Sequence, residues 1–234
     1  MNLLPNFMRL PAAMLLVLVC TQGVAANYVD LRRIEPVHGD AAAGASRAVV
    51  CVACHGPNGN AVVPTFPKLA GQRADYIYHR LVEYRNADPN APYYVASPMP
   101  AQAQTLSDVD MRNLAAYFAA QTPTASPTIT ETGDEQGATL YSSGDPAKGV
   151  PPCQGCHGAD ANGPIITASR YLAYPMLRGQ HAAYLVSRLN GYRDKQAHDS
   201  TNDFIMRGVA HTLDDGSIHA IAVWLDSLPV VDRH

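Results

Sequence analysis

Beyond residue 20 the chain has no long apolar run, no surplus of basic residues and no cysteine outside two short motifs. Each absence excludes something. Without a stretch of about twenty apolar residues, no later part of the chain is expected to cross a bilayer. Residues 27–121 hold eight basic and eight acidic side chains, and residues 137–234 hold eight and nine. Neither half is a basic block, so no nucleic acid is expected as a partner. Alternation of apolar and polar residues is also missing, which argues against strands. The hydrophobic share is 47% and the charged share only 16%, a balance that favours a packed core over disorder.

The first residues read as an export signal. Arg9 precedes the apolar run Leu10–Val19, and Val24-Ala25-Ala26 offers small residues for cleavage before Asn27. That run is short for a membrane span, so residues 1–26 are expected to leave as a signal peptide. Cys20 raises a lipoprotein alternative, opposed by the branched Val19 in front of it. Export leads to an oxidising compartment, where free thiols seldom persist. The other four of the five cysteines all lie in Cys51-Val-Ala-Cys54-His55 and Cys153-Gln-Gly-Cys156-His157. None is left over.

Cys-x-x-Cys-His is the spacing that attaches a haem. The two thiols add to its vinyl groups, and the adjacent histidine reaches the iron from the same side. One helical turn sets both sulfurs and the imidazole along one edge and face of the macrocycle. Paired cysteines also serve redox-active disulfides and zinc sites. The first wants a βαβ setting, which is absent, and the second wants four grouped ligands, whereas these pairs lie in separate halves. Two covalently bound haem c groups are therefore expected, held by Cys51, Cys54 and His55 and by Cys153, Cys156 and His157.

Aligning the chain on the two motifs exposes a duplication. Gly39-Asp40-Ala-Ala-Ala-Gly44 stands before the first motif and Gly144-Asp145-Pro-Ala-Lys-Gly149 before the second. Pro67-Lys68-Leu69-Ala70-Gly71-Gln72 matches Pro175-Met176-Leu177-Arg178-Gly179-Gln180, and Tyr76, Arg80, Tyr84 match Tyr184, Arg188, Tyr192. Met99, Thr105, Leu106 and Tyr117 match Met206, Thr212, Leu213 and Trp224. A period of roughly 105 residues means a duplicated domain, since solenoid units are shorter. The expected division is residues 27–121, an extended Pro- and Thr-containing linker over 122–136, and residues 137–234. Helices are expected over Ala74–Asn86, Ser107–Ala120, Ala182–Arg193 and Asp214–Leu228. Asp40 and Asp145 are candidate caps for a helix entering each motif, with Pro146 at the first helical position.

The duplication also selects the remaining iron ligands. Met99 and Met206 hold the same place in the two halves, and a thioether suits haem iron when electron transfer is the task. Met111 and Met176 align with Ile218 and Lys68 and have no such partner. His198 and His211 compete for the second iron. The expected metal ligands are thus His55, Met99, His157 and Met206. Pro67 and Pro175 are candidates to offer a carbonyl to the second nitrogen of each ligating histidine. Tyr76, Tyr84, Tyr184 and Tyr192 could bond haem propionates, face the other half, or simply form a packed stripe. An inward Arg80 or Arg188 needs an anion, and a propionate is one.

On these motifs, above all the duplicated Pro-x-Leu-x-Gly-Gln with its following tyrosine, the chain resembles the dihaem cytochromes of the cytochrome c4 type. The resemblance covers essentially everything after the signal. It implies an all-α fold of two tandem class I cytochrome c domains and a periplasmic carrier with His/Met ligation at both irons. It also implies redox proteins as partners: an electron donor, a terminal oxidase or reductase as acceptor, and peripheral membrane association. Two departures stand out. The segment between His157 and Pro175 is longer than its counterpart and adds Arg170, Tyr171 and Tyr174. Met99 lies between Pro98 and Pro100 and follows Tyr93 and Tyr94, while Met206 has no proline beside it. Unequal haems are expected. A saturated iron has no open position for substrate, so a one-electron carrier is expected, not an enzyme. The alternatives are a dehydrogenase subunit, or a dihaem peroxidase or thiosulfate-oxidising enzyme.

Overall fold

The computed structural model describes residues 28–87, 97–125, 135–165, 168–194 and 200–230. The signal peptide, Cys20, Tyr93, Tyr94, His198 and residues 126–134 of the linker lie outside the described residues. The Asp40 carboxylate accepts from the Ala42 and Ala43 amides and starts α1 (Ala41–Arg47). A tight turn over Ala48–Val50 then feeds α2 (Val52–His55), which carries the first motif. After α3 (Ala74–Asn86) and α4 (Met99–Gln104) comes α5 (Asp108–Ala119), started by reciprocal capping between Ser107 and Asp110. The second half holds α6 (Glu135–Ser143), α7 (Gln154–His157), α8 (Ala182–Arg193), α9 (Thr201–Ala210) and α10 (Asp215–Ser227). Ser200 caps α9 and Asp214 caps α10. Extended pairing among the described residues is limited to isolated bridges. The fold is all-α.

The two halves repeat one packing plan. α1 lies on α5 and α6 on α10, while α3 and α8 cover the other side of each core. In the first half Ile77, Tyr78, Leu81, Met111, Leu114 and Phe118 are buried together. Leu140, Tyr141, Leu185, Ile218, Ile221 and Leu225 do the same in the second. The helix crossings are closed by glycine. A β-carbon at Gly44 would collide with the Asn113 carbonyl and lie 2.8 Å from Tyr117 Cβ. One at Gly137 would collide with the Ala220 carbonyl and lie 2.7 Å from Trp224 Cβ.

That equivalence corrects the sequence expectation in one place. Asp145 does not cap a helix. Its carboxylate accepts from the Ala147 and Lys148 amides inside a turn closed by the Asp145–Val150 bridge. The reason is local: Gly144, at φ 70°, ends α6, and Pro151-Pro152 follows at once. The helix that enters the second motif region is therefore α6, upstream of Gly144, and Gly137 rather than Gly149 is the counterpart of Gly44. α6 starts at Glu135, so residues 135 and 136 are helical. Because the obstacle at Gly137 is backbone, Gly137→Ala is expected to cost about 1–3 kcal/mol. Chemical denaturation of the holoprotein measures it, and an unchanged midpoint would mean that the two helices can part freely.

The N-terminal segment crosses between halves. Val29 forms a parallel bridge with Ser200, and the Leu31 amide donates to Thr201 Oγ1 at 2.9 Å. Leu31 and Ile34 are buried against Leu172 and Ala173, in the longer segment that distinguishes the second half. Val37, further along, returns to the first half through the Asp75 carboxylate at 2.7 Å.

Candidate functional site

Each motif forms a short helical turn that ends on its histidine. Cys51, Cys54, Cys153 and Cys156 are half-buried, and no disulfide joins them. Burial pushes the Cys51, Cys153 and Cys156 thiols up, Cys153 to about 11. An activated nucleophile or redox thiol would be shifted the other way. His55 and His157 are each 7% exposed. Nδ1 of His55 donates to the Pro67 carbonyl at 2.9 Å, and Nδ1 of His157 donates to the Pro175 carbonyl at 3.1 Å. A carbonyl can only accept, so the proton is on Nδ1 and Nε2 keeps its lone pair. Burial lowers both imidazole pKa values, against the carbonyl bonds that raise them. Two thiols and one oriented imidazole on a single turn, repeated in each half, are the donor set that covalent haem c requires. The residues fit the group.

The four methionines weighed above separate in the fold. Met111 is fully buried in the first core, and Met176 lies between the halves with its backbone held by Gln72. Met99 opens α4, half-buried against the first core. Met206 is half-buried on the equivalent helix, α9. His211 ends α9 and is exposed.

Between the halves lies a polar interface whose parts the sequence displayed without revealing their use. Gln72 Nε2 donates to the Met176 carbonyl and Gln72 Oε1 accepts from the Met176 amide, both at 2.9 Å. Gln180 treats Lys68 alike, at 3.0 and 2.9 Å. The next residue continues the exchange: Arg73 donates to the Leu172 and Pro164 carbonyls, and His181 Nε2 donates to the Ala61 carbonyl at 2.8 Å. Lys68 Nζ donates to the Gly179 carbonyl at 2.9 Å.

The tyrosine and arginine stripes of α3 and α8 face one another across this interface. Burial pushes the Tyr76 and Tyr184 phenols up, Arg80 and Arg188 oppose this at Tyr76, and Tyr76 and Tyr84 add to it at Tyr184 while Arg80 opposes it. Arg80 stacks on Tyr84 and Arg188 on Tyr192, and Arg188 donates to the Tyr192 hydroxyl at 2.6 Å. The anion expected beside Arg80 is present as two carboxylates of the chain itself, Glu83 on α3 and Asp203 on α9. Both were missed from sequence. Glu83 aligns with Gly191 and Asp203 with Ala96, so no repeat signal pointed to them.

The sequence model of the family described as Cytochrome c matches residues 41–121. Over 197 residues the chain is 39% identical to cytochrome c4 of Azotobacter vinelandii, spanning 81% of this chain and 90% of that protein. The chain belongs to the cytochrome c4 family. A cytochrome c4 is an electron-transfer protein with two covalently bound haem c groups, one in each half. The crystal structure of reduced recombinant cytochrome c4 from Pseudomonas stutzeri matches with a TM-score of 0.68 at 36% identity, covering 81% of this chain and 99% of that one. A second relative is the thiosulfate dehydrogenase electron acceptor of Thiomonas intermedia, 30% identical over 193 residues, 81% of this chain and 83% of that protein.

Proposed function

We propose that this cytochrome c4 is a periplasmic one-electron relay in which His55 and Met99 ligate one iron and His157 and Met206 the other. Thioether bonds to Cys51 and Cys54, and to Cys153 and Cys156, hold the two haems. When bound, each haem supplies a one-electron couple, and the protein sets its potential. The observation that carries the reading is the matched pair of imidazoles, each pinned at Nδ1 by a proline carbonyl with Nε2 left to bind a metal. A His/Met donor set would leave the iron no open position for substrate, which favours electron transfer over substrate activation.

The partners are a donor and a terminal oxidase or reductase, reached by diffusion with peripheral membrane association. No helix among the described residues is long and apolar enough to cross a membrane. The near-neutral halves favour docking through local contacts over long-range steering. Val49, Val50 and Val52 around the first motif, and Phe204 and Ile205 beside Met206, are exposed and suit small transient interfaces. A second reading makes the chain the electron acceptor of a thiosulfate-oxidising enzyme, and the Thiomonas relative favours it. Reduction of the purified protein by such an enzyme, absent with other donors, would select it.

A spectroscopic redox titration of the holoprotein tests the main reading. Two one-electron waves at positive potentials are expected, with low-spin spectra and the Met-to-iron charge-transfer band. A high-spin or bis-histidine centre would sink the ligand assignment.

A further inference from the structure

Two separate sets of hydrogen bonds meet at one peptide group in each half. The Pro67 carbonyl accepts from His55 Nδ1 at 2.9 Å. The N–H of that same peptide, on Lys68, donates at 2.9 Å to Oε1 of Gln180, a residue of the other half. The mirror set runs from His157 to the Pro175 carbonyl at 3.1 Å, and from the Met176 amide to Gln72 Oε1 at 2.9 Å. Each glutamine is fixed for this task. Its Oε1 also accepts from the next backbone amide, Arg73 or His181, and its Nε2 bonds the carbonyl of the residue it grips. Both side chains are buried, at 4% and 7% exposure.

A peptide whose N–H donates to a good acceptor becomes more polarised, and its carbonyl oxygen becomes a better acceptor in turn. A stronger pull on Nδ1–H makes an imidazole a stronger donor at Nε2, which stabilises the oxidised iron. We propose that Gln72 and Gln180 are crosswise tuning residues. Each raises the donor strength of the histidine in the opposite half through one shared peptide, so that each domain sets the potential of its neighbour's haem. This rests on the assignment of His55 and His157 as iron ligands.

The arrangement gives the repeated Gln of Pro-x-Leu-x-Gly-Gln a use that a simple clamp does not require. A clamp could grip any exposed backbone. These two grip the one peptide in each half that already holds the ligating histidine.

The test is a pair of variants, Gln180→Met and Gln72→Met, in the full holoprotein. Both midpoint potentials are measured, with the NMR resonances of each haem used to assign them. Gln180→Met is expected to raise the potential of the first haem and speed exchange of the His55 Nδ1 proton, leaving the second haem in place. Gln72→Met is expected to do the reverse. If either apolar variant fails to fold, Gln180→Asn and Gln72→Asn keep a neutral amide but draw it back from the opposite peptide, and carry the same crosswise test with the same sign. Equal movement of both haems, movement of the variant's own haem alone, or no movement would overturn the proposal and leave the glutamines as clamps. The wild type measured alongside separates the two levels. Absence of its two low-spin His/Met spectra removes the ligand assignment and this proposal with it, while normal wild-type spectra with uncrossed variants remove this proposal alone.

Discussion

Replacing Arg80 by methionine is expected to destabilise the holoprotein by about 3–5 kcal/mol, the cost of stranding buried charge. Arg80 joins the halves through Glu83 on its own helix and Asp203 on α9, both 1% exposed. Methionine preserves most of the packing volume but leaves the two carboxylates without the guanidinium that bonds both. The loss should depend on pH in a definite direction. Burial pushes the Glu83 carboxyl up to about 7, with Asp203 opposing ionisation and Arg80, the Ser200 hydroxyl and Arg188 favouring it. An unfolded glutamate titrates near ~4.3. Between the two values the folded chain keeps a proton that the unfolded chain has released, so stability through this group falls as pH rises across the window. Removing Arg80 deepens that fall, because the charged form loses its cation. Denaturation of wild type and variant at about pH 5 and about pH 8 should therefore show the larger difference at the higher pH. An equal penalty at both values would mean that the carboxylates are already compensated by other groups.

How much of this could be read from the chain alone varies with the kind of signal. The haem motifs and the helices α3 and α8 were legible because each is a local pattern: a fixed spacing, or an apolar stripe at helical period. The proline carbonyls were legible as well, since a ligating histidine needs an acceptor and the repeat offered one proline at the same place in each half. The helix before the second motif was misplaced for a physical reason. Gly-Asp-x-Ala-x-Gly occurs twice, yet in one copy it starts a helix and in the other it makes a turn, because Gly144 and Pro151-Pro152 forbid continuation. What ties the repeats together is the contact of Gly44 and Gly137 with a crossing helix, and that contact is long-range.

The interface was least legible. Gln72 and Gln180 stood out as a repeat, but a side-chain amide bound to distant backbone leaves no local pattern. Glu83, Asp203 and the crossing N-terminal segment break the repeat symmetry altogether. Asymmetry of this kind makes two similar haem domains unequal. The second half alone carries the longer segment under Leu31 and Ile34, and Tyr174 from that segment lies 6.2 Å from the His157 ring. The first half places Phe66 at 6.3 Å from His55 instead.

The same inequality shapes the largest spectroscopic effect expected, that of removing one of the methionines proposed as ligands. Met206→Ala should convert the second haem alone to a high-spin centre that binds exogenous ligands. Axial ligands set haem potentials over roughly 0.8 V, so a drop on the order of 0.1 V or more is expected at that centre. Met99→Ala should act alike on the first haem, although Met99 is held more firmly. It sits between Pro98 and Pro100 at the start of α4 and packs on the first core. Met206 sits mid-helix beside the exposed Phe204 and Ile205. Water should therefore reach the vacated second iron more readily, and the second variant should bind added cyanide or imidazole faster. Met111→Leu and Met176→Leu provide the contrast. The first is a core swap costing less than about 1.5 kcal/mol, the second lies at the interface, and both should leave two low-spin His/Met spectra intact. Low-spin spectra at both haems of Met206→Ala would show that another residue ligates the second iron, with the exposed His211 at the end of the same helix the first to replace.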